Sequence, residues 1–288
     1  PATENHPYHL DRLREKIRQG YSLIVFPEGT RSTTTRIGRF HKGAFYLAEQ
    51  LKLDIIPVLV HGNAHALPKH DNMLKPGPIS MKFLPRIRHD DPSFGLTYSE
   101  RAKTIGAYFR HEFRMLRNEK EPPGYFEKKL LFNFLYKPKR IQRQVKADFR
   151  ANAARYHWLL RQLPGDARIL HLGCGYGVLD YLLVYDSAGR SVTAWDADAA
   201  TILAARHTYT VNRYPLRFVT SPPASGAYDA VIISRAQTGP MCCVNEHTRW
   251  IVLEDVQTEE LPILAQKDFQ LVAAESGIKV WRKNERII

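Results

Sequence analysis

Cysteine is scarce, three residues in a chain of 288. Cys242 and Cys243 are adjacent, the count is odd, and together with Cys174 they match no zinc-ligand spacing. That excludes a disulfide framework and a structural zinc site, and a reduced, cytoplasmic environment is the simple expectation. No apolar run approaches the roughly eighteen residues that span a bilayer, and no signal peptide opens the chain. Repeats and low-complexity tracts are missing as well, which excludes solenoids and disordered polar tails. Acidic residues are in deficit: 29 Asp and Glu stand against 42 Lys and Arg, a net charge of +13. A balance that basic attracts nucleic acid, anionic membrane surfaces or phosphorylated substrates. No RNA-binding signature, zinc finger or basic recognition helix accompanies it, so no nucleic acid partner is expected and anionic lipid is favoured.

What is present is apolar material for two cores, 44% hydrophobic residues in a length that suits two domains. The first residue is Pro1 rather than Met, and the chain is expected to be a piece of a larger parent. Residues 10–19 suit a basic helix ending near Gly20. "YSLIVF" suits a short buried strand, and the polar stretch 30–38 a loop. "HKGAFYLAEQL" has helical spacing; "DIIPVLVHG" and "PISMKFLPRI" suit strands. A long basic helix with Ile105, Phe109, Phe113 and Leu116 on one side precedes "EKEPPGYF", where Pro-Pro-Gly marks a boundary. A basic helical connector over 121–150 follows, carrying Lys137, Lys139, Arg140, Arg143, Lys146 and Arg150. A solvated helix face and a contact with anionic headgroups are both open to it. From Ala167 strands and helices alternate, with seven strand candidates: "RILHLG", "SVTAWD", "LRFVT", "YDAVIIS", "RWIVLED", "FQLVAAE" and "IKVWRK". That is a doubly wound α/β pattern.

Two motifs carry chemistry. In "VFPEGTRS" Pro27 fixes the exit from the apolar stretch and Gly29 lets the backbone turn. Arg31 offers a planar fork suited to phosphate, and Glu28 can orient it or meet a substrate hydroxyl. The order "VFPEGTRS", "RFHKGAFYLA", "IIPVLVHG" resembles the third and fourth conserved blocks of the glycerophosphate and lysophosphatidate acyltransferase family over about residues 10–115. The resemblance implies that Glu28, Gly29, Thr30 and Arg31 bind the acceptor phosphate and that the strand near Pro57 lines the acyl-chain side. It also implies an acyl thioester donor, a lipid acceptor, and a catalytic His-x4-Asp block ahead of these motifs. His6 and Asp11 have that internal spacing, but only 22 positions separate His6 from Glu28, and the family places a whole strand-helix-strand section there. Residues 10–20 match instead the charged helix that directly precedes "FPEGTRS" in the family. No catalytic residue is therefore assigned, and the histidine is expected upstream.

The second motif is "ILHLGCGYGVLDYLL", which sets Gly173, Gly175 and Gly177 between a buried strand and a helix. Asp196 ends the next strand, where a carboxylate suits a ribose diol. A nicotinamide dinucleotide prefers G-x-G-x-x-G, and here the third glycine comes one position early. The G-x-G-x-G spacing, "YDAVIIS" and the closing hairpin resemble the class I S-adenosylmethionine-dependent methyltransferases over about residues 150–288. Gly173, Gly175, Gly177 and Asp196 are then the implied cofactor residues, with S-adenosylmethionine the cofactor and no metal. His171 stands where that family often has an acid that helps hold the methionine end. "SPPASG" and "RAQTGP" also depart from its usual contacts.

The expected fold is α/β. A partial acyltransferase domain (1–120) and a helical connector (121–150) precede a Rossmann-like methyltransferase-type sheet (151–288). In domain order this resembles the tail of a bacterial multidomain protein whose transporter part precedes an acyltransferase and a methyltransferase. Such a parent would hold the chain at the cytoplasmic face of the inner membrane. Two alternatives stand beside it: a non-catalytic lipid-surface or scaffolding module, and an RNA methyltransferase using the basic connector. His61 and His65 have no acid or cysteine at ligand spacing and are expected to be solvated.

Overall fold

The computed structural model describes residues 7–31, 35–67, 74–75, 77–208, 213–221, 223, 226–234, 243–256 and 269–284. It divides into two compact units, Pro1–Lys120 and Glu121–Ile288.

The first unit opens with α1 (Pro7–Arg18), closed by Gly20 at φ +89°. There the amides of Gly20 and Tyr21 donate to Ile17 and Lys16 carbonyls, the usual close of a helix at a left-handed glycine. Residues 21–26 then run without regular structure, and Ile24 and Phe26 are 88% and 79% exposed. The buried strand expected over "YSLIVF" is not formed. A strand needs a neighbour for its backbone donors and acceptors, and no described residue pairs with this one. After it come α2 (Gly43–Gln50), β1 (Val58–His61), α3 (Asn63–Ala66), β2 (Ser80–Phe83) and α4 (Tyr98–Lys120). β1 and β2 are antiparallel, with Val58 opposite Phe83 and His61 opposite Ser80. Alternation turns Leu59 and His61 inward, and Leu59 packs with Leu84 and Leu116. His61 is therefore buried, its ring 6.2 Å from that of Phe113, which corrects the expectation of a solvated histidine. The opposite face leaves Met81 and Phe83 exposed.

The second unit begins with α5 (Glu127–Asn133) and α6 (Lys139–Gln162). Phe126, Leu130, Phe134, Val145 and Phe149 belong to the same buried cluster as Ile169, Leu179, Tyr181 and Ile232. The stretch 121–150, expected as a connector, is a packed layer of this unit, because the apolar residues of each of its two helices recur every four positions and have a core to fill. Next come β3 (Arg168–Leu172), α7 (Val178–Asp186), β4 (Ser191–Trp195), α8 (Ala199–Arg206), β5 (Leu216–Val219), β6 (Ala230–Ser234), β7 (Trp250–Glu254), β8 (Phe269–Glu275) and β9 (Ile278–Lys283). All seven expected strands form, in the order β5-β4-β3-β6-β7-β9-β8. β3 to β7 are parallel and β9 runs antiparallel to β7 and β8. Ser276 and Gly277, both at positive φ, make the two-residue hairpin between β8 and β9. The central strands are apolar on both faces, Ile169 and Ile232 in one cluster, Leu170 and Ile233 in the other, as parallel strands under two layers must be. β3 is flanked by β4 on one side and β6 on the other, so the chain reverses direction of travel at β3, and in open α/β sheets the carboxyl end of the strands at such a reversal is the usual place for a ligand.

Candidate functional site

In the first unit the turn at Pro27–Arg31 is held by its own backbone. The Gly29 amide donates to the Phe26 carbonyl at 3.0 Å, and the His41 amide to the Pro27 carbonyl at 2.8 Å. Gly29 sits at φ +69°, and a Cβ there would lie 3.1 Å from the His41 ring. Glu28 accepts the Gly38 amide at 2.8 Å through Oε2, closing the intervening loop. Thr30 and Arg31 are exposed. Glu28 thus closes its loop through one carboxylate oxygen, and the Arg31 side chain is exposed. Residues 32–34 and His6 lie outside the described residues. Asp11 lies on exposed α1 and pairs with Arg14 at 2.9 Å.

In the second unit Gly173, Gly175 and Gly177 lie between β3 and α7 at φ +85°, +54° and +75°. A Cβ on Gly173 would stand 2.3 Å from the Ser234 carbonyl oxygen, and one on Gly177 2.4 Å from the Phe218 ring. The first glycine therefore allows β3 and β6 to converge, and the third allows α7 to sit down on β5. The amides of Gly173 and Cys174 both donate to the Trp195 carbonyl. Asp196, just past β4 and 6% exposed, accepts the Gly175 amide at 2.8 Å and the Asp198 amide at 2.9 Å. All four residues expected at the cofactor site meet at one place, the carboxyl end of β3.

Residues 3–61 match the acyltransferase family model, and residues 156–234 match that of the methyltransferase small domain. The chain thus carries, in order, a segment that matches acyltransferases and one that matches small methyltransferase domains. A 1-acyl-sn-glycerol-3-phosphate acyltransferase of Cocos nucifera is 40% identical over 78 residues, covering 27% of this chain and 25% of that protein. That of Limnanthes douglasii is 40% identical over 86 residues, covering 28% and 31%. The chain thus spans about a quarter to a third of the length of these curated relatives. Among solved structures, the 1-acyl-sn-glycerophosphate acyltransferase of Thermotoga maritima overlays 38% of this chain and 44% of its own at 26% identity, TM-score 0.35. The magnesium protoporphyrin IX methyltransferase of Synechocystis, solved with bound S-adenosylmethionine, overlays 59% and 96% at 16% identity, TM-score 0.38.

Beneath the glycine loop the methyltransferase domain carries a buried polar chain that its sequence did not announce. His171 Nδ1 lies 2.9 Å from Asp180 Oδ1, and its Nε2 lies 2.8 Å from Ser234 Oγ. The Ser234 hydroxyl reaches Glu254 Oε2 at 2.5 Å, and Arg155 donates to Glu254 Oε1 at 3.4 Å and to Asp255 at 3.0 Å. His171, Asp180, Ser234 and Glu254 are all buried. The one local signal was His171 itself, a polar residue inside an apolar strand. Cys174 and Cys243 are buried and in no disulfide; Cys242 and residues 235–240, the "RAQTGP" run, lie outside the described residues. Among the described residues no group of three or more His, Cys, Asp or Glu could hold a metal ion, and no helix is long and apolar enough to cross a membrane.

Proposed function

We propose that the chain is part of a glycerolipid acyltransferase, one that moves an acyl group from a thioester to a phosphate-bearing or polyol lipid, and that its second unit binds S-adenosylmethionine. The observation that carries the second half is the run of three positive-φ glycines at the carboxyl end of β3 with Asp196 fastened to the middle one. A cradle that side chains would fill, beside a buried carboxylate, fits a nucleoside-bearing cofactor. Gly173, Gly175 and Gly177 would let it approach the backbone, and Asp196 would meet its ribose hydroxyls. When bound, the cofactor supplies an activated methyl group; the residues around it exclude water and fix its orientation. In the first unit the role of Arg31 is to meet the acceptor phosphate, with Gly29 and Thr30 shaping the turn and Glu28 holding the loop. The acyltransferase relatives support that assignment.

Calorimetric titration tests both halves. S-adenosylhomocysteine should give a saturable heat, and silence at millimolar ligand would make the glycine loop a relic. Monoacyl glycerophosphate in sub-micellar amounts should bind more weakly after Arg31→Ala, whereas monoacylglycerol should not discriminate; equal loss of both would remove Arg31 from the phosphate. The exposed basic residues of α6 favour a second reading beside this one, a module that docks on anionic lipid with or without chemistry, at the inner face of a membrane.

A further inference from the structure

We propose that the second unit has a further ligand site, away from the glycine loop, which takes a small water-soluble phosphomonoester, a phosphorylated sugar or polyol. The site lies at the β4–β5 edge of the sheet and is independent of the cofactor reading. A hollow of about 550 Å³ opens there, with Thr193, Arg206, Arg217, Thr220, Ser221 and Tyr228 among its walls. That volume is in the range of small-ligand sites.

The pleat of the two strands explains why the place is open. Val192, Ala194, Leu216 and Phe218 point to one face, where Ile202 and Ala205 of α8 join them in the core. Thr193 and its register neighbour Arg217 point to the other. Parallel strands ordinarily carry helices on both faces. The connection from β5 to β6, residues 220–229, falls short of the dozen or so that a crossover helix needs. Arg217 is left exposed and Thr193 half-buried. Charge then selects the ligand. Residues 199–228 contain three arginines and no Asp or Glu. Arg206 and Arg217 are both exposed, and among the described residues neither has an ion pair or hydrogen bond. Elsewhere in this unit Arg155, Arg168 and Arg190 each meet an acid. Two guanidiniums on one hollow repel each other, and a phosphate relieves both through charge-assisted hydrogen bonds. The hydroxyls of Thr193, Thr220 and Ser221 suit those of a sugar or polyol. An acyl chain fits worse, because Leu216 and Phe218 are buried and leave it little apolar wall. The place proposed for the cofactor is a different one. Thr193 lies opposite Leu170, three positions before Gly173 and so about 10 Å down the strand, and Arg206 closes α8 toward the amino ends of the strands.

The test titrates the whole chain with ribose 5-phosphate and with ribose, which differ only in the phosphate, while following the side-chain Nε–H resonances of 15N-labelled Arg206 and Arg217. Ribose 5-phosphate should move both resonances to saturation, and ribose should move neither. Replacing Arg206→Gln together with Arg217→Gln should weaken ribose 5-phosphate by about tenfold or more in calorimetry, as the loss of charge-assisted hydrogen bonds requires. A control that removes two exposed cations of the first unit, Lys103→Gln with Arg114→Gln, should leave the affinity within about twofold. An equal loss in the control would reduce the effect to net charge and overturn the site. Resonances that stay still at millimolar ribose 5-phosphate, that answer ribose equally, or that answer only vesicles of anionic phospholipid overturn it as well. Both arginines are exposed, so the double variant should unfold at the wild-type midpoint; should it fail to fold, the wild-type resonances alone decide.

Discussion

At the scale of single residues, Asp196 has two tasks that a substitution separates from each other poorly but from the rest of the fold well. Its oxygens hold the Gly175 and Asp198 amides, and the same carboxylate faces the place proposed for a ribose. Asp196→Ala leaves both amides without an acceptor and removes the ribose partner. A hydrogen bond to a charged group is worth about 1.5–3 kcal/mol. Calorimetry with S-adenosylhomocysteine should therefore show an affinity loss of roughly tenfold to hundredfold. An unchanged affinity would mean that Asp196 only shapes the loop. The glycines and Asp196 could be read from the sequence because strand, turn and strand end are local features with fixed spacing. Asp180, Ser234, Glu254 and Arg155 could not. They lie on α7, β6, β7 and α6, and only the strand order brings them to one buried chain.

Among the elements, the helices of the second unit depend on a residue that periodicity does not flag. Arg190, 1% exposed, precedes β4 and spends its guanidinium on helix ends. It donates to the Leu160 and Leu163 carbonyls at the close of α6, to the Leu183 carbonyl in α7, to the Pro164 carbonyl and to Asp186. Helix C-termini leave orphan carbonyls, and a buried cation is well placed to take several at once. Arg190→Met fills similar space but abandons those acceptors and the Asp186 charge. The expected cost is about 3–5 kcal/mol, read as a lowered midpoint in thermal or urea unfolding. A loss under 1 kcal/mol would show that the carbonyls find other partners. The strands of this unit were legible because each is a short, β-branched run bounded by turns. "YSLIVF" looks the same locally, yet forms no strand, since pairing is a property of two segments and no described residue pairs with this one. The helices over 121–150 were legible as helices but not as core, because basic residues on one face hid the apolar spacing of Phe126, Leu130, Phe134, Val145 and Phe149 on the other.

For the molecule as a whole, the net charge of +13 draws the chain to any anionic surface, but a diffuse excess would bind weakly and without orientation. α6 concentrates it. Lys139, Arg143 and Lys146 recur at spacings of four and three, which sets them on one helical face, and with neighbouring Arg140 all are exposed. Leu135 and Tyr136, 51% and 85% exposed, stand just ahead of them and suit a headgroup boundary. Lys137, counted with these cations in the sequence, is half-buried, and burial lowers its pKa. Arg150 is paired with Glu127 at 2.7 Å. Four free cations at about 1 kcal/mol each amount to roughly 4 kcal/mol, or close to a thousandfold in partitioning onto anionic vesicles. Replacing Lys139, Arg140, Arg143 and Lys146 together by Gln should remove most of that, measured by vesicle sedimentation at low salt. Wild-type binding should also fall as salt rises, because the screening length shrinks from about 30 Å at 0.01 M to about 10 Å at 0.1 M. Binding that persists on neutral vesicles and ignores salt would shift the attraction from this helix to exposed apolar groups such as Ile24, Phe26 and Phe83.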